Sequence, residues 1–497
     1  MPVAPAASPP TRQPGGWCFD TTYLSLPGRL YVRQAPVPVR DPQMALFNRP
    51  LAAALGLSLE DLPEEDLARL LSGTTVPAGA TPLAQAYAGH QFGHFALLGD
   101  GRAILLGEHL TPDGQRVDIQ LKGSGRTPFS RRGDGRAALG PMLREFILSE
   151  AMHALGIPTT RSLAVTTTGE AVLRDHVLPG AVLVRTAASH IRVGTFEFAA
   201  AHTDPATLEA LIRHTLGRHY PGLVPDGAPA TEAAAALLTA AIDRQCSLIT
   251  HWLRVGFIHG VMNTDNMTLS GETIDYGPCA FLDSYDPATV FSSIDHGGRY
   301  AFGNQPAIAR WNLARLAETL LPVLAPGGDL TWVQTLFDRL PEQFDRQWQQ
   351  CLTDKFGLSA DAPRDLITAG LAAMQADEAD YTNTFAALTD ARQKQEQTGT
   401  APCPFHTPAL RRWYQDWAAA AAPPGSATRM AAANPRRIPR NHQVEAVLTA
   451  ATETGDLRPL HRLLEALTEP YRDDPDHIAY TLPPAPQERV YQTFCGT

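Results

Sequence analysis

The sequence predicts an α+β fold of two lobes, strand-rich first and helical second, and three observations carry that reading. Between about residues 81 and 200, segments with strand alternation such as Val117-Asp-Ile-Gln-Leu-Lys122 flank a single helix-patterned stretch, Ala137 to Leu155. From about residue 201 the pattern turns helical, in ALIRHTLGRHY, ATEAAAALLTAAIDRQCSLITHWLRV, ARWNLARLAETLLPVL and DLITAGLAAMQADEADYTNTFAALTDA. Inside that helical half, His259 to Gly277 gathers Asn263, Asp265, Asn266 and Asp275 into one polar loop and turn. The expected organisation is an N-terminal extension over 1–80, a strand-rich lobe over 81–200, a helical lobe over 201–420 and a C-terminal helical segment over 421–497.

Composition narrows the function. The 497 residues suffice for a large core, and the formal net charge of -10 comes without any Lys/Arg run, which argues against a nucleic-acid partner. No apolar run approaches the ~20 residues of a membrane helix, and the Pro/Ala-rich start MPVAPAASPPTRQPGG reads as a disordered lead-in. Six scattered cysteines never form a C-x-x-C pair, which argues against a structural zinc and against a secreted disulfide framework and fits a reducing cytoplasm. Cys279 and Cys495 are either unrelated thiols or a redox pair. Residues 17 to 70 read as extended chain followed by helices, with no chemistry of their own.

Taken in order, the elements beyond residue 81 read as the parts of a nucleotide site. FALLGDGRAILLGE looks like strand, Gly-Asp-Gly turn, strand, so Gly99 and Gly101 would let backbone N–H groups approach phosphate and Arg102 would add a fixed charge. A plain β-turn gives the same pattern. The next strand ends on Lys122 and enters an arginine-rich loop, GSGRTPFSRRGDG, which holds Asp134 and Gly135. Glu145 then lies beside the apolar stripe of the predicted helix; a strand lysine aimed by a helix glutamate is the protein-kinase arrangement. Arg185 sits within an apolar strand and Arg192 follows it, and surplus guanidinium groups suit a deep polyphosphate.

The His259 loop completes the kinase-like layout. Leu248 to Ile258 reads as a buried helix running into it, and His259 to Asn266 preserves the kinase step from loop histidine to metal-binding asparagine. Met267 to Leu269, a Ser270-Gly271-Glu272 turn and Thr273 to Gly277 read as a hairpin that returns Asp275 beside Asn266, with Asp275-Tyr276-Gly277 in place of Asp-Phe-Gly. The position of the kinase catalytic aspartate, however, is Val261, which can take no proton; Asp265 is the nearest replacement. Taken alone, the loop could equally be a polar turn between helix and hairpin.

Together, YAGHQFGHFALLGDGRAILLGE, DIQLKGSGRTPFSRRGDGRAALGPMLREF and HGVMNTDNM with IDYGP resemble the SelO family of protein adenylyltransferases, from about Phe19 to the C-terminal tail. The resemblance implies a bilobal protein-kinase-like fold with N- and C-terminal extensions, ATP bound in a flipped orientation, and transfer of AMP to Ser, Thr or Tyr hydroxyls of protein substrates. On this chain it implies Lys122 on phosphate, held by Glu145; Gly99, Gly101, Arg102, Asp134, Gly135, Arg185 and Arg192 around the nucleotide; Asn266 and Asp275 on Mg2+ or Mn2+; and Asp265 as general base. Members that carry selenocysteine near the C-terminus would here have Cys495. The expected protein is a cytoplasmic monomer without membrane or nucleic-acid partners, with UMP transfer from UTP as a possible second activity. A kinase using Asp265 as base and a catalytically dead, nucleotide-binding pseudokinase scaffold are the competing readings. Two retained metal ligands argue against the scaffold.

Overall fold

The structure, a computed structural model, describes residues 11–494. It is an α+β protein built on a nine-stranded sheet whose ladders are all antiparallel. Its main path runs Tyr31–Arg33, Leu83–Gln85, Ala103–Leu110, Arg116–Lys122, Val177–Ala187, Arg161–Leu173, Gln43–Phe47. Strand alternation sorts the side chains. Ile119, Leu121, Val182 and Val184 turn to one face, where Trp17, Phe19, Leu51, Leu59 and Leu67 cover them. Ala181 and Leu183 turn to the other, where helix Leu139–Ala154 lies over them through Leu139, Leu143, Phe146 and Ile147. The same alternation puts Gln120, Lys122 and Arg185 on the helix-covered face, with Arg185 opposite Gln120 and Leu183 opposite Lys122.

Two sequence expectations need correction. The segment after residue 17 is not only extended chain and helix: Phe19–Asp20, Tyr31–Arg33 and Gln43–Phe47 are strands of the sheet, too short for a period of two to show in the sequence. The Gly-Asp-Gly stretch does not turn a hairpin. His94–Leu97 folds back onto Ala88–Gln91 as a separate two-stranded ribbon, and Gly99 to Gly101 is the connection from that ribbon to Ala103–Leu110. Asp100 fixes the connection by accepting from the Gln85 N–H (3.0 Å) and from Gln120 Nε2 (3.2 Å).

The helical half is organised around Ala230–Val255, which ends on Gly256 in the left-handed conformation and runs into a short strand, Phe257–Ile258. Helices Gln305–Leu324 and Thr331–Phe356 pack against it. At the far end of the chain, Asn441–Thr449 and Arg458–Leu467 return to the body. Val444, Val447, Leu460 and Leu463 bury against the helix that carries Glu145, a contact worth about 1.5–3 kcal/mol for each fully buried side chain. No helix among the described residues is long and apolar enough to cross a membrane. Cys279 is fully buried, while Cys495 lies outside the described residues.

Helix Pro205–His219 ties the helical half to the sheet. Its Arg218 pairs with Glu108 and with Asp118 (2.7 Å), and Asp118 also meets His190 Nδ1 (3.1 Å). Around this junction burial holds His190 and His214 down at about 4 and His219 at about 3. The unfolded chain therefore takes up protons near pH 6.5 that the folded chain refuses, so stability is fully present above that pH and falls as pH drops towards 4. His214 Nε2 has no hydrogen-bond partner, so His214→Phe removes a titrating group without breaking a bond. In thermal melts across pH 4.5 to 7 the variant should lose less stability on acidification than the parent, by roughly 2 kcal/mol at the acid end.

Candidate active site

Lys122, Arg185 and Arg192 converge on one carboxylate at the junction of sheet and helical body. Asp275 Oδ1 accepts from Lys122 Nζ (2.7 Å) and from Arg185 Nη1 (2.6 Å), and Asp275 Oδ2 accepts from Arg192 Nη1 (3.3 Å). Glu145 comes down from its helix to take Lys122 (2.6 Å) and Arg185 (3.1 Å), and Gln120 Oε1 accepts from Arg185 Nε (2.8 Å). Burial alone would push the Asp275 carboxyl up; Arg185, Lys122 and Arg192 instead hold it well below the ordinary carboxylate range. Helix Leu139–Ala154 is itself pinned, since Arg144 donates to Gly277 O (3.2 Å) and Cys279 O (2.5 Å) and pairs with Glu445 (2.7 Å).

The expected hairpin does not form around this carboxylate. A turn occurs at Ser270-Gly271, where the Thr268 hydroxyl donates to Glu272 O (2.7 Å) and accepts from the Glu272 N–H (2.9 Å), but the β-bridges of its two arms run to other chain segments. Thr268 bridges Arg192, and Thr273 bridges Thr159. These flanking segments offer backbone partners at both arms, which the isolated sequence does not reveal. Asp275 nonetheless reaches the cleft shared with Asn266. It does so in a left-handed backbone conformation (φ 59°), which costs an L-residue about 1–2 kcal/mol, and its three ion pairs offset that cost. His259 is a structural member of the loop: it is fully buried, and its Nε2 bonds Ile274 O (2.9 Å) immediately before Asp275.

Asp265 stands on the short 3-10 turn Thr264–Asn266. Burial pushes its carboxyl up to about 7, with Arg192 partly opposing, and its Oδ1 is buried without a hydrogen-bond partner. Thr264 Oγ1 donates to Glu197 (2.7 Å) and accepts from the His90 N–H (2.7 Å), while Asn263 Oδ1 accepts from the Phe92 N–H (3.0 Å) and the Tyr300 hydroxyl (2.7 Å). The loop is thus clamped to the ribbon. Gly89 is required by this approach, because a Cβ there would sit 2.5 Å from Asp265 Oδ1.

The cleft between these groups measures about 880 Å³ and is lined by Gly99, Gly101, Arg102, Lys122, Asp134, Gly135, Glu145, Arg185, Asp265, Asn266 and Asp275. Arg192 lies behind that wall: it is 1 % exposed, stacks over Tyr87 and holds Asp265 O (3.0 Å) together with Asp275. Asp134 is at the rim, gripped by Arg174 (2.9 and 3.2 Å). The arginines divide into two sets. Arg136 bonds Val37 O and Pro38 O, whereas the side chains of Arg102, Arg131 and Arg132 line the cleft without a partner among the described residues. Phe129 seats on Gly99, where a Cβ would come within 2.5 Å of its ring, and Thr127 Oγ1 donates to Asp100 O (2.7 Å), so the arginine loop folds over the glycine connection. Sequence reasoning missed Gln120, Asp100, Arg144, Tyr87 and Glu197; only for Gln120 was there a signal, its place two residues before Lys122 on the same strand face.

Among the described residues, no group of three His, Cys, Asp or Glu could hold a metal alone. Asn266 donates Nδ2 to Val261 O (2.9 Å), which leaves its side-chain oxygen as the donor atom, and Asp275 Oδ2 has only the long contact to Arg192. Hard oxygen donors in this number fit a small divalent cation that takes its remaining ligands from phosphate and water, rather than an all-protein cage.

Comparison with known proteins finds a family match over most of the chain. A family model described as "Protein adenylyltransferase SelO" matches residues 18–468. A "Protein nucleotidyltransferase YdiU" of Nitrosococcus oceani is 53% identical over 502 residues, covering 99% of this chain and 100% of that protein. Proteins of the same description from Syntrophotalea carbinolica (54% identical, 97% of this chain, 98% of that one) and Geobacillus kaustophilus (53%, 97% and 99%) are similarly close.

The tight seat of Asp265 on Gly89 is testable by itself. Gly89→Ala should displace the Asp265 carboxylate and lower turnover, by up to about a hundredfold for a ~1 Å misplacement. Steady-state rates measured beside a thermal melt would show the loss of turnover without a matching loss of stability.

Proposed function

The chain belongs to the SelO family and is an enzyme, a protein nucleotidyltransferase; we propose that it transfers AMP from ATP to Ser, Thr or Tyr hydroxyls of protein substrates, and UMP from UTP by the same route. The observation that carries this reading is the juxtaposition of Asp275, held ionised by three cations, with a buried Asp265 whose Oδ1 has no hydrogen-bond partner, in a loop where Val261 stands at the position of the usual kinase base.

The substrate hydroxyl oxygen attacks the α-phosphorus in line, and the bond from that phosphorus to the bridging oxygen of pyrophosphate breaks with its electron pair leaving on pyrophosphate. The hydroxyl proton passes to Asp265, whose carboxyl, raised to about 7, is basic enough to take it near neutral pH. Lys122, aimed by Glu145, and Arg185 lie where they can neutralise phosphate charge, and Arg102, Arg131 and Arg132 supply guanidinium groups not already committed to protein partners. Gly99, Gly101 and Gly135 let the arginine loop pack closely along the cleft wall, with Asp134 at its rim and Arg192 supporting Asp275 from behind. Mg2+ or Mn2+, held by Asn266 and Asp275, would add charge neutralisation at the phosphates. Cys246, Cys279, Cys351 and Cys403 as thiols support a reducing cytoplasm as the working compartment, and the chain is proposed to act as a monomer.

Two labels of ATP decide between this and phosphate transfer. With Mn2+ present, label at the α position should enter protein and label at the γ position should not. Asp275→Ala should abolish incorporation, and Asp265→Asn should lower kcat by about 10²–10⁴ while leaving ATP affinity within a few-fold. Incorporation of γ label instead would make the enzyme a kinase and reverse the proposed orientation of ATP.

A further inference from the structure

The ribbon beside Asp265 has one edge that nothing in the described chain covers. Ala88–Gln91 pairs with His94–Leu97 across a Phe92-Gly93 turn in which both residues have positive φ (50° and 90°). A two-residue turn makes Gln91 and His94 a hydrogen-bonded pair, and antiparallel alternation makes Gly89 and Ala96 the next one. The Leu98 N–H to Tyr87 O bond (3.1 Å) continues that series. The backbone N–H and C=O groups of Phe95 and Leu97 therefore point out of the ribbon, and they meet no backbone partner among the described residues.

This edge lacks the usual protection. Sheet edges are normally blunted by charge, proline, a bulge or a covering loop, whereas His94-Phe-Ala-Leu97 carries no acid, lysine, arginine or proline. Phe95 and Leu97 are instead 47% and 50% exposed. The ribbon's other strand is anything but free: His90 and Phe92 donate to Thr264 and Asn263, and Gly89 abuts Asp265. Gln91 and Phe92 at one end of the ribbon and Leu98 at the other line the nucleotide cleft. The open edge is thus continuous with the cleft and rigidly referenced to Asp265.

We propose that the unpaired edge of His94–Leu97 is the docking strand for the protein substrate, which adds to it as an extended segment and thereby brings a hydroxyl on or next to that segment into the cleft. The proposal rests on the transferase reading above. Backbone pairing supplies affinity with little demand on sequence, and the apolar side chains of Phe95 and Leu97 supply the shallow pockets. An extended, unfolded or terminal stretch of the acceptor protein is therefore the recognised form, rather than a folded surface.

Proline separates the backbone contribution from the side chain. Leu97→Pro removes an outward N–H and no ribbon bond, a position where proline is tolerated at an edge; Leu97→Ala removes the side chain alone. The acceptors are short synthetic peptides with a single Ser, Thr or Tyr in varied surroundings, assayed with α-labelled ATP and Mn2+. Leu97→Pro should lower kcat/KM for peptide by about tenfold or more relative to Leu97→Ala, with KM for ATP unchanged. Hydrogen exchange, which needs no turnover, should slow at the Phe95 and Leu97 amides when peptide is added and stay constant at His94 and Ala96. Equal activity of the two variants, or exchange unaffected by peptide, overturns the docking strand and leaves AMP transfer standing. Label on folded proteins but on no peptide does the same. Protection that grows with enzyme concentration alone would assign the edge to a second copy of this chain and overturn the proposal. Absence of α label from every acceptor, folded or not, would sink the transferase reading itself.

Discussion

Everything else in the site is arranged around the sharing of one carboxylate, Asp275, by three cations. Asp275 and Glu145 bond Lys122, Arg185 and Arg192 directly, and the buried carboxyls of Asp100 and Asp265 act on the arginines from further away. Charges removed from water are costly unless geometry and hydrogen bonds compensate, and here compensation is incomplete, since Arg192 Nη2 is buried without a partner. Such a cluster is held together by its own ion pairs. The cations free to meet phosphate are therefore Arg102, Arg131 and Arg132 at the cleft wall, while the buried cluster fixes the framework beneath them.

Each of the four supporting groups comes from a different element, and the sheet explains why they meet. Lys122 and Arg185 share a face because strands alternate and their antiparallel register sets Leu183 opposite Lys122. Glu145 arrives because apolar residues of its helix are buried on that face, and Arg192 because its segment bridges Thr268 on the arm before the Ser270-Gly271 turn. Behind the helix, the C-terminal pair Asn441–Thr449 and Arg458–Leu467 closes the stack. In protein kinases the corresponding helix is a movable part; here it is wedged between a sheet and two helices, and Arg144 bolts it to the backbone after Asp275.

Much of this was legible in the sequence because it depends on local periodicity. The helix-patterned stretch around Glu145, the strand ending on Lys122, the long helix Ala230–Val255 and the C-terminal helical pair all follow from spacing within one element. What the sequence concealed depends on partners distant in the chain. The arms beside Asp275 run their β-bridges to Thr159 and Arg192 instead of to each other, and His94–Leu97 pairs backwards instead of forwards. Nor does any local rule separate Arg136, spent on two carbonyls, from Arg131 and Arg132, which are not. Asp100 and Glu197 were invisible for the same reason: a lone acid in a turn or helix gives no sign of the buried donors that will surround it.

The order in which the chain supplies these parts has a consequence during translation. Gly89, Lys122, Glu145, Arg185 and Asp275 emerge early and in sequence, but the back wall of the glutamate helix is made of residues from 441 to 467. A nascent chain still missing that wall exposes Leu139, Leu143 and Ile147 to water or to chaperones, and its lysine–glutamate pair rests on an unsupported helix. The helix that carries Glu145 therefore gains its full support only after residues 441–467 have been made.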